Sequence, residues 1–206
     1  MLVVAAGCSG AAPPEFRGED MEDYFPFAEN LSCEWQFVNA DDGVSYKLIA
    51  RIENEEFVND IRQFTVEYTK DCVGEDPTCV EGDFVRSMTW SLQGNQGIHL
   101  HKVETAAQGE TVFEPSLRFL DKYMKRGDQT VADAGGNTYT TTLEEFGACP
   151  VLLDWDQCAK LVVESSGGPD SVTGTYWVIN DFNIVAMNWD EDPLSTWQLS
   201  THLTIE

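Results

Sequence analysis

From Leu31 onward, apolar and polar residues alternate with a period of two, the repeat of a strand with one buried face. The stretch Ser195 to Ile205 puts Trp197, Leu199, Leu203 and Ile205 on one face and Gln198, Ser200, His202 and Thr204 on the other. Asp83 to Leu92 groups Phe84, Met88, Trp90 and Leu92, with Arg86 among them, and Val44 to Ile52 alternates in the same way. Further strands are predicted at Cys33–Val38, Ile61–Thr69, Ile98–Glu104, Thr138–Phe146, Cys158–Glu164, Val172–Ile179 and Asn183–Trp189.

Turn chemistry separates these runs: Asp41-Asp42-Gly43, Gly94-Asn95-Gln96-Gly97, Gly135-Gly136-Asn137, Gly167-Gly168-Pro169-Asp170 and Asn180-Asp181. About ten short, hairpin-linked strands predict one antiparallel sheet that curls into a half-barrel, a barrel or a sandwich. Helical content is expected at two places only, a turn near Glu53–Asp60 and another around Leu117–Lys125. The fold class is therefore mainly β, with at most one or two short helices.

Length fits this reading, since 206 residues suit one domain with a full core. The division expected is a signal-peptide remnant over 1–7, a flexible acidic tether over 8–23, and a single mainly-β domain over 24–206. Charge narrows the partners. Twelve Lys and Arg stand against 36 Asp and Glu, a net −24, and that field repels a phosphate backbone, so nucleic acid is excluded as a partner. The acidic surface would attract divalent cations weakly and keeps the protein soluble.

The N-terminus carries an address. Ala5-Ala6-Gly7-Cys8 resembles the lipobox of bacterial lipoproteins, in which small residues precede the cysteine that receives diacylglycerol. Ser9 to Asp23 has no apolar period and is rich in Pro, Gly and acidic residues, the composition of a tether. Only Leu2 to Gly7 precede Cys8, and no Lys or Arg comes before Arg17. A signal peptide needs a basic start and a longer apolar run, so the natural start is expected upstream of Met1.

The other cysteines are Cys33, Cys72, Cys79, Cys149 and Cys158. Cys72 with Cys79 and Cys149 with Cys158 each bracket a short loop containing proline and acids, and two local disulfides are predicted, leaving Cys33 free. Neither spacing suits zinc, which takes cysteines two to four residues apart. Disulfides belong to an oxidising compartment.

Three further segments resemble a group of bacterial envelope lipoproteins for which no activity is known. They are Asp23-Tyr24-Phe25-Pro26-Phe27 followed by Trp35, the central Phe113-Glu114-Pro115-Ser116-Leu117-Arg118-Phe119-Leu120 leading to Gly127-Asp128, and Thr175-Tyr176-Trp177 followed by Ile184-Val185. The chain departs from that group in lacking Val-Gly before the first Trp and in carrying Asn180-Asp181-Phe182-Asn183 where a Gly-x-Gly turn is usual. The resemblance implies lipid anchoring in the envelope. Ser9 after the cysteine implies the outer membrane, with a protein partner there.

Candidate chemistry is sparse. Gly-x-Ser-x-Gly, Ser-x-x-Lys and phosphate-cradling glycine loops do not occur in the sequence, and no cofactor is called for. His99 and His101 stand at i and i+2 on one strand and would project from one face about 7 Å apart. With Glu104 they are weak metal candidates against the plainer reading of histidines on a polar face. Asp133 to Glu144 spaces acid, Asn137 and Glu like a calcium loop, but Thr138 stands where that loop needs Gly, and a Gly-Gly-Asn hairpin is the expectation.

Two classes of function remain. One is a non-catalytic binding, structural or assembly module, and the other is a lipid-anchored hydrolase with an unrecognised carboxylate site. A carrier of a hydrophobic ligand is a variant of the first, resting on Trp90, Tyr176, Trp177 and Trp197 in alternating strands.

Overall fold

The structure, a computed structural model, describes residues 33–40, 46–74, 76–93, 97–121, 123–150, 158–179, 183–191 and 196–204. The lipobox, the tether, the Tyr24-Phe25-Pro26 motif and the side chains of Cys33 and His202 lie outside the described residues. So do the predicted turns at Asp41-Asp42-Gly43 and Asn180-Asp181.

Twelve strands are described: β1 (Cys33–Asn39), β2 (Tyr46–Val58), β3 (Ile61–Cys72), β4 (Phe84–Gln93), β5 (Gly97–Thr105), β6 (Gly109–Asp121), β7 (Gln129–Ala134), β8 (Asn137–Gly147), β9 (Cys158–Ser165), β10 (Gly174–Ile179), β11 (Asn183–Trp189) and β12 (Thr196–Thr204). They form one antiparallel sheet in the order β6-β5-β4-β3-β2-β1-β12-β11-β10-β9-β8-β7. Each strand therefore pairs with its sequence neighbour, and β1 pairs with β12. The two ends of the sheet, β6 and β7, lie side by side, joined by the Thr130 hydroxyl donating to the Arg118 carbonyl. The result is a barrel closed by eleven ladders and one seam.

Alternation decides what fills it. Inward residues of opposite halves meet as rings: Tyr68 of β3 lies edge-on to Trp189 of β11, Phe119 of β6 to Tyr176 of β10, and Phe113 of β6 to Tyr139 of β8. Trp90 and Trp197 are buried in the same core, and Trp90 meets Phe119 at 5.0 Å. Buried aromatic pairs of this kind add about 0.5–1.5 kcal/mol beyond the area they hide. Trp177 points away from Tyr176, half-buried against the edge of the core.

Among the described residues one charge sits inside. Arg86 is fully buried, with its guanidinium 3.5 Å above the Trp189 ring. It donates to the Ser171 carbonyl at 3.1 Å and to the Glu191 carboxylate. Burial pulls its pKa down, opposed by Tyr176 and Glu191, and an arginine still keeps its proton. The pair ties the β9–β10 loop and the end of β11 to β4.

Both expected helical turns are strands. Glu53–Asp60 is the outer half of β2 followed by a two-residue turn, with Val58 opposite Ile61 and positive φ at Asn59 (51°) and Asp60 (64°). Two successive residues in that conformation make the hairpin turn whose twist matches the strands, and short polar Asn and Asp tolerate it. Leu117–Lys125 begins as the end of β6. There Phe119 is an extra residue, between Arg118 opposite His99 and Leu120 opposite Ile98. The bulge buries Phe119 and Leu120 together, and Leu117 with Leu120 mimics a helical i, i+3 pair. Among the described residues there is no helix.

The predicted Gly-Gly hairpin is present. Ala134 faces Asn137 across Gly135 and Gly136, with φ of 58° and 86°. Both predicted disulfides are present as well, Cys72–Cys79 with Cα atoms 5.9 Å apart and Cys149–Cys158 with 5.2 Å.

Candidate functional site: a polar groove on the outside of the sheet

On its outer face the sheet from β2 to β6 encloses a groove of about 1150 Å³. The floor comes from β3, β4 and β5, whose outward residues are polar yet nearly covered: Gln63, Ser87 and Thr89 are 8%, 6% and 4% exposed. Exposed Asn54 and Glu56 of β2 form one wall. The other wall is an arch in β6. Leu117 pairs with Leu100 and Val112 with Lys102, so four residues, Phe113 to Ser116, stand opposite His101 alone. Pro115 lacks an N–H and belongs on an edge strand or bulge, and here it has both. The central segment that resembles the lipoprotein group is this wall.

His101 lines the groove and His99 stands two positions back on β5, each tied to a serine. His99 Nδ1 is 3.0 Å from Ser116 Oγ, and His101 Nε2 is 2.7 Å from Ser91 Oγ. The Gln63 amide stands 3.3 Å from His101 Nδ1, and the Gln93 amide donates to Ser116 Oγ at 3.2 Å. As placed, Gln63 donates to Nδ1 and His101 donates from Nε2 to Ser91. Ser116, accepting from Gln93, turns its own O–H toward His99. Both rings are neutral in this arrangement. Burial lowers both pKa values, and His99, with Arg118 nearby as a second cause, falls to about 4.

The Ser91–His101 pair does not activate a nucleophile: an attacking serine donates its proton to the imidazole, whereas Ser91 accepts one and is fully buried beneath the groove. Ser116 does direct its O–H at His99, but that ring, its pKa lowered to about 4 chiefly by burial, is a weak base. Nor do the histidines gather ligands: among the described residues no group of three His, Cys, Asp or Glu can hold a metal ion. The sequence placed the pair correctly on one outward face, but it did not show the serines, which come from β4 and β6. That pairing needs the register, and the sequence alone does not supply the register.

Carboxylates gather at the other end. Glu67 of β3, Ser87 of β4 and Glu104 of β5 stand directly opposite one another in the ladders. Glu53 is the extra residue of a bulge between Ile52 and Asn54. Burial raises the Glu67 pKa first, and the charges of Glu53 and Glu104 add to it. The cations nearby are engaged elsewhere. Arg51, opposite Glu67, holds Glu34 at 2.6 Å, and Lys102 is 3.2 Å from Glu110 and 3.7 Å from Glu104.

No family model matches the chain, and no curated protein sequence matches it. A crystal structure of a Parabacteroides distasonis protein, provisionally named a lipoprotein, aligns over 86% of this chain and 97% of its own, at 12% identity and a TM-score of 0.43.

Proposed function

We propose that the chain is a lipid-anchored, non-catalytic binding module of the bacterial envelope, which recognises a protein partner through the outer groove of β2–β6. The observation that carries the binding role is the groove itself. Its histidines and serines satisfy one another: Ser91 is buried and accepts from His101, and Ser116 donates to His99, a ring that burial leaves a weak base. Such a surface offers shape and hydrogen bonds and no activated group. Three of the four rings expected to line a lipid pocket, Trp90, Tyr176 and Trp197, are packed in the core instead, the first two against Phe119, which favours recognition on the outside.

Support for the anchor is the lipobox-like Ala5-Ala6-Gly7-Cys8 ahead of the tether. Support for an oxidising compartment is the pair of closed disulfides. Ser9 after the cysteine favours the outer membrane. The test is expression behind a functional signal peptide and comparison of wild type with Cys8→Ser. The wild type is expected in the outer-membrane fraction and the variant in the soluble one, while equal partitioning would remove the anchor. Crosslinking from Asn54 or Glu114 is expected to capture an envelope protein, and capture diminished as much by an unlabelled groove variant as by unlabelled wild type would place recognition elsewhere.

A further inference from the structure

Each strand reverses the one before it, so odd strands begin and even strands finish at the same end of the barrel. That end carries Cys33, where β1 starts, together with the β2–β3 turn and the loop from Asp121 to Gln129 between β6 and β7. The chain from Cys8 enters the described fold there.

Two observations set the β6–β7 loop apart, and the first is its charge. Among the described residues every other lysine and arginine is paired with a carboxylate, except Lys47, which donates to the Gln36 amide oxygen. Lys125 and Arg126 are exposed and have no such partner. In a chain of net −24, two adjacent unpaired cations are the exception. Acids around them are engaged: Arg118 holds Asp121 at 2.9 Å, Lys160 holds Glu144 at 2.7 Å, and the Asp128 carboxylate accepts the Lys125 backbone N–H at 2.8 Å. Glu145 and Asp60 stay without an ion pair among the described residues at this end, which limits the basic surface to the loop itself.

The second observation is apolar. Tyr123 is 67% exposed, and the exposed large aromatic residues among those described, Phe57, Tyr123 and Phe146, all belong to this end. At the other end the exposed apolar side chains are Val73 and Val80. The loop is a built one. The Tyr123 N–H donates to the Asp121 carboxylate at 2.8 Å, the Gly127 N–H to the Leu143 carbonyl at 2.7 Å, and Met124 packs against the core.

An exposed tyrosine beside free cations suits a bilayer surface. The ring of a tyrosine sits at headgroup level, and each cation near an anionic leaflet is worth about fivefold in residence. An acyl anchor joined to a basic patch holds better than either alone. Charges further up the barrel are screened beyond about 8 Å at physiological salt, so the loop's own groups dominate the contact.

Resting on the reading of Cys8 as a lipid anchor, we propose that the β6–β7 loop docks on an anionic phospholipid surface, with Lys125 and Arg126 against the phosphates and Tyr123 in the interface. The anchor supplies proximity and the loop sets orientation. The end that bears the Cys72–Cys79 loop then faces away from the membrane.

The test uses the full chain, lipidated in the cell and reconstituted into vesicles of brominated phosphatidylcholine with or without phosphatidylglycerol. Tyr123→Trp and Val73→Trp each place a reporter at one end, and fluorescence quenching in excess of wild type is read. The reporter of Tyr123→Trp is expected to be quenched several-fold more than that of Val73→Trp, and only with phosphatidylglycerol present. Adding Lys125→Gln and Arg126→Gln is expected to lower that excess about tenfold or more. Equal quenching at both ends, or quenching unchanged by the double substitution or by omission of phosphatidylglycerol, would overturn the docking. A second arm holds the Cys8→Ser chain, hexahistidine-tagged at its N-terminus, on nickel-chelating lipids in the same vesicles. End-selective quenching in that arm alone would leave the docking standing and remove the natural anchor. A membrane-bound native chain with no preference between ends in either arm would keep the anchor and remove the docking.

Discussion

The guanidinium of Arg86 lies over the indole of Trp189, 3.5 Å from its centre, while it also grips Glu191. β4 and β11 belong to opposite halves of the barrel, so this contact bolts the two halves together. Removing one partner of a buried ion pair leaves the other uncompensated and costs about 3–5 kcal/mol. Arg86→Met is therefore expected to lower unfolding free energy by that order in urea denaturation. Arg86→Lys, which keeps the charge but not the planar stack, should fall between variant and wild type. A change below about 1 kcal/mol for Arg86→Met, an exposed pair's worth, would mean that the contact holds nothing.

Acid should weaken the fold through the histidines. In the unfolded chain His99 takes a proton near its ordinary 6.5, while in the fold it stays neutral to about 4. The unfolded state thus binds more protons across that interval, and stability contributed by the neutral ring is present above the upper value and lost as pH falls to the lower one. His101 acts in the same direction. Denaturation midpoints for wild type and for the His99→Asn, His101→Asn double variant, compared between about pH 7 and pH 4, should show a smaller acid-induced loss in the variant. Parallel loss in both proteins would assign the effect to carboxylates.

The β2–β3 turn can be improved. Asp60 sits at φ 64°, where glycine is free of the side-chain penalty, and Asn-Gly is the preferred pair for this turn. Asp60→Gly should raise stability by about 0.5 kcal/mol after the added freedom of the unfolded chain is counted. Calorimetry would register the rise as a small increase in Tm, and a fall would show that Asp60 has a use beyond the turn.

Each disulfide closes a short loop, seven and nine residues along the chain. Such loops contribute about 2–3 kcal/mol apiece in the chain-entropy account. Replacing both Cys72 and Cys79 by Ala should cost about that much, whereas non-reducing peptide mapping of the wild type should recover Cys72 linked to Cys79 and Cys149 linked to Cys158. A peptide joining Cys33 to any of these would contradict the pairing.

Ten of the twelve strands were legible in the sequence because their inward residues are large: Trp90, Leu100, Leu161 and Trp197 announce a period of two. β7 was not, since its inward residues are Ala132 and Ala134, too small to stand out against Val131 on the exposed side. β6 was hidden for another reason. Its four-residue arch and its bulge at Phe119 break the alternation twice, and the first of these breaks builds the groove wall. The local disulfides were legible because sequence proximity fixes them, whereas the Ser–His contacts and the Glu67–Ser87–Glu104 row depend on register between strands up to 37 positions apart, which side-chain type does not encode.

Cys33 stands opposite Thr204 in the β1–β12 ladder, so the described fold begins and ends at one place. Topologically the strands form a ring, and the chain's opening is one cut in it. Joining those ends and opening the chain between Asp121 and Gln129 would leave all eleven ladders intact. The seam, crossed among the described residues by the Thr130 hydroxyl, lies half a circuit away from the joined ends.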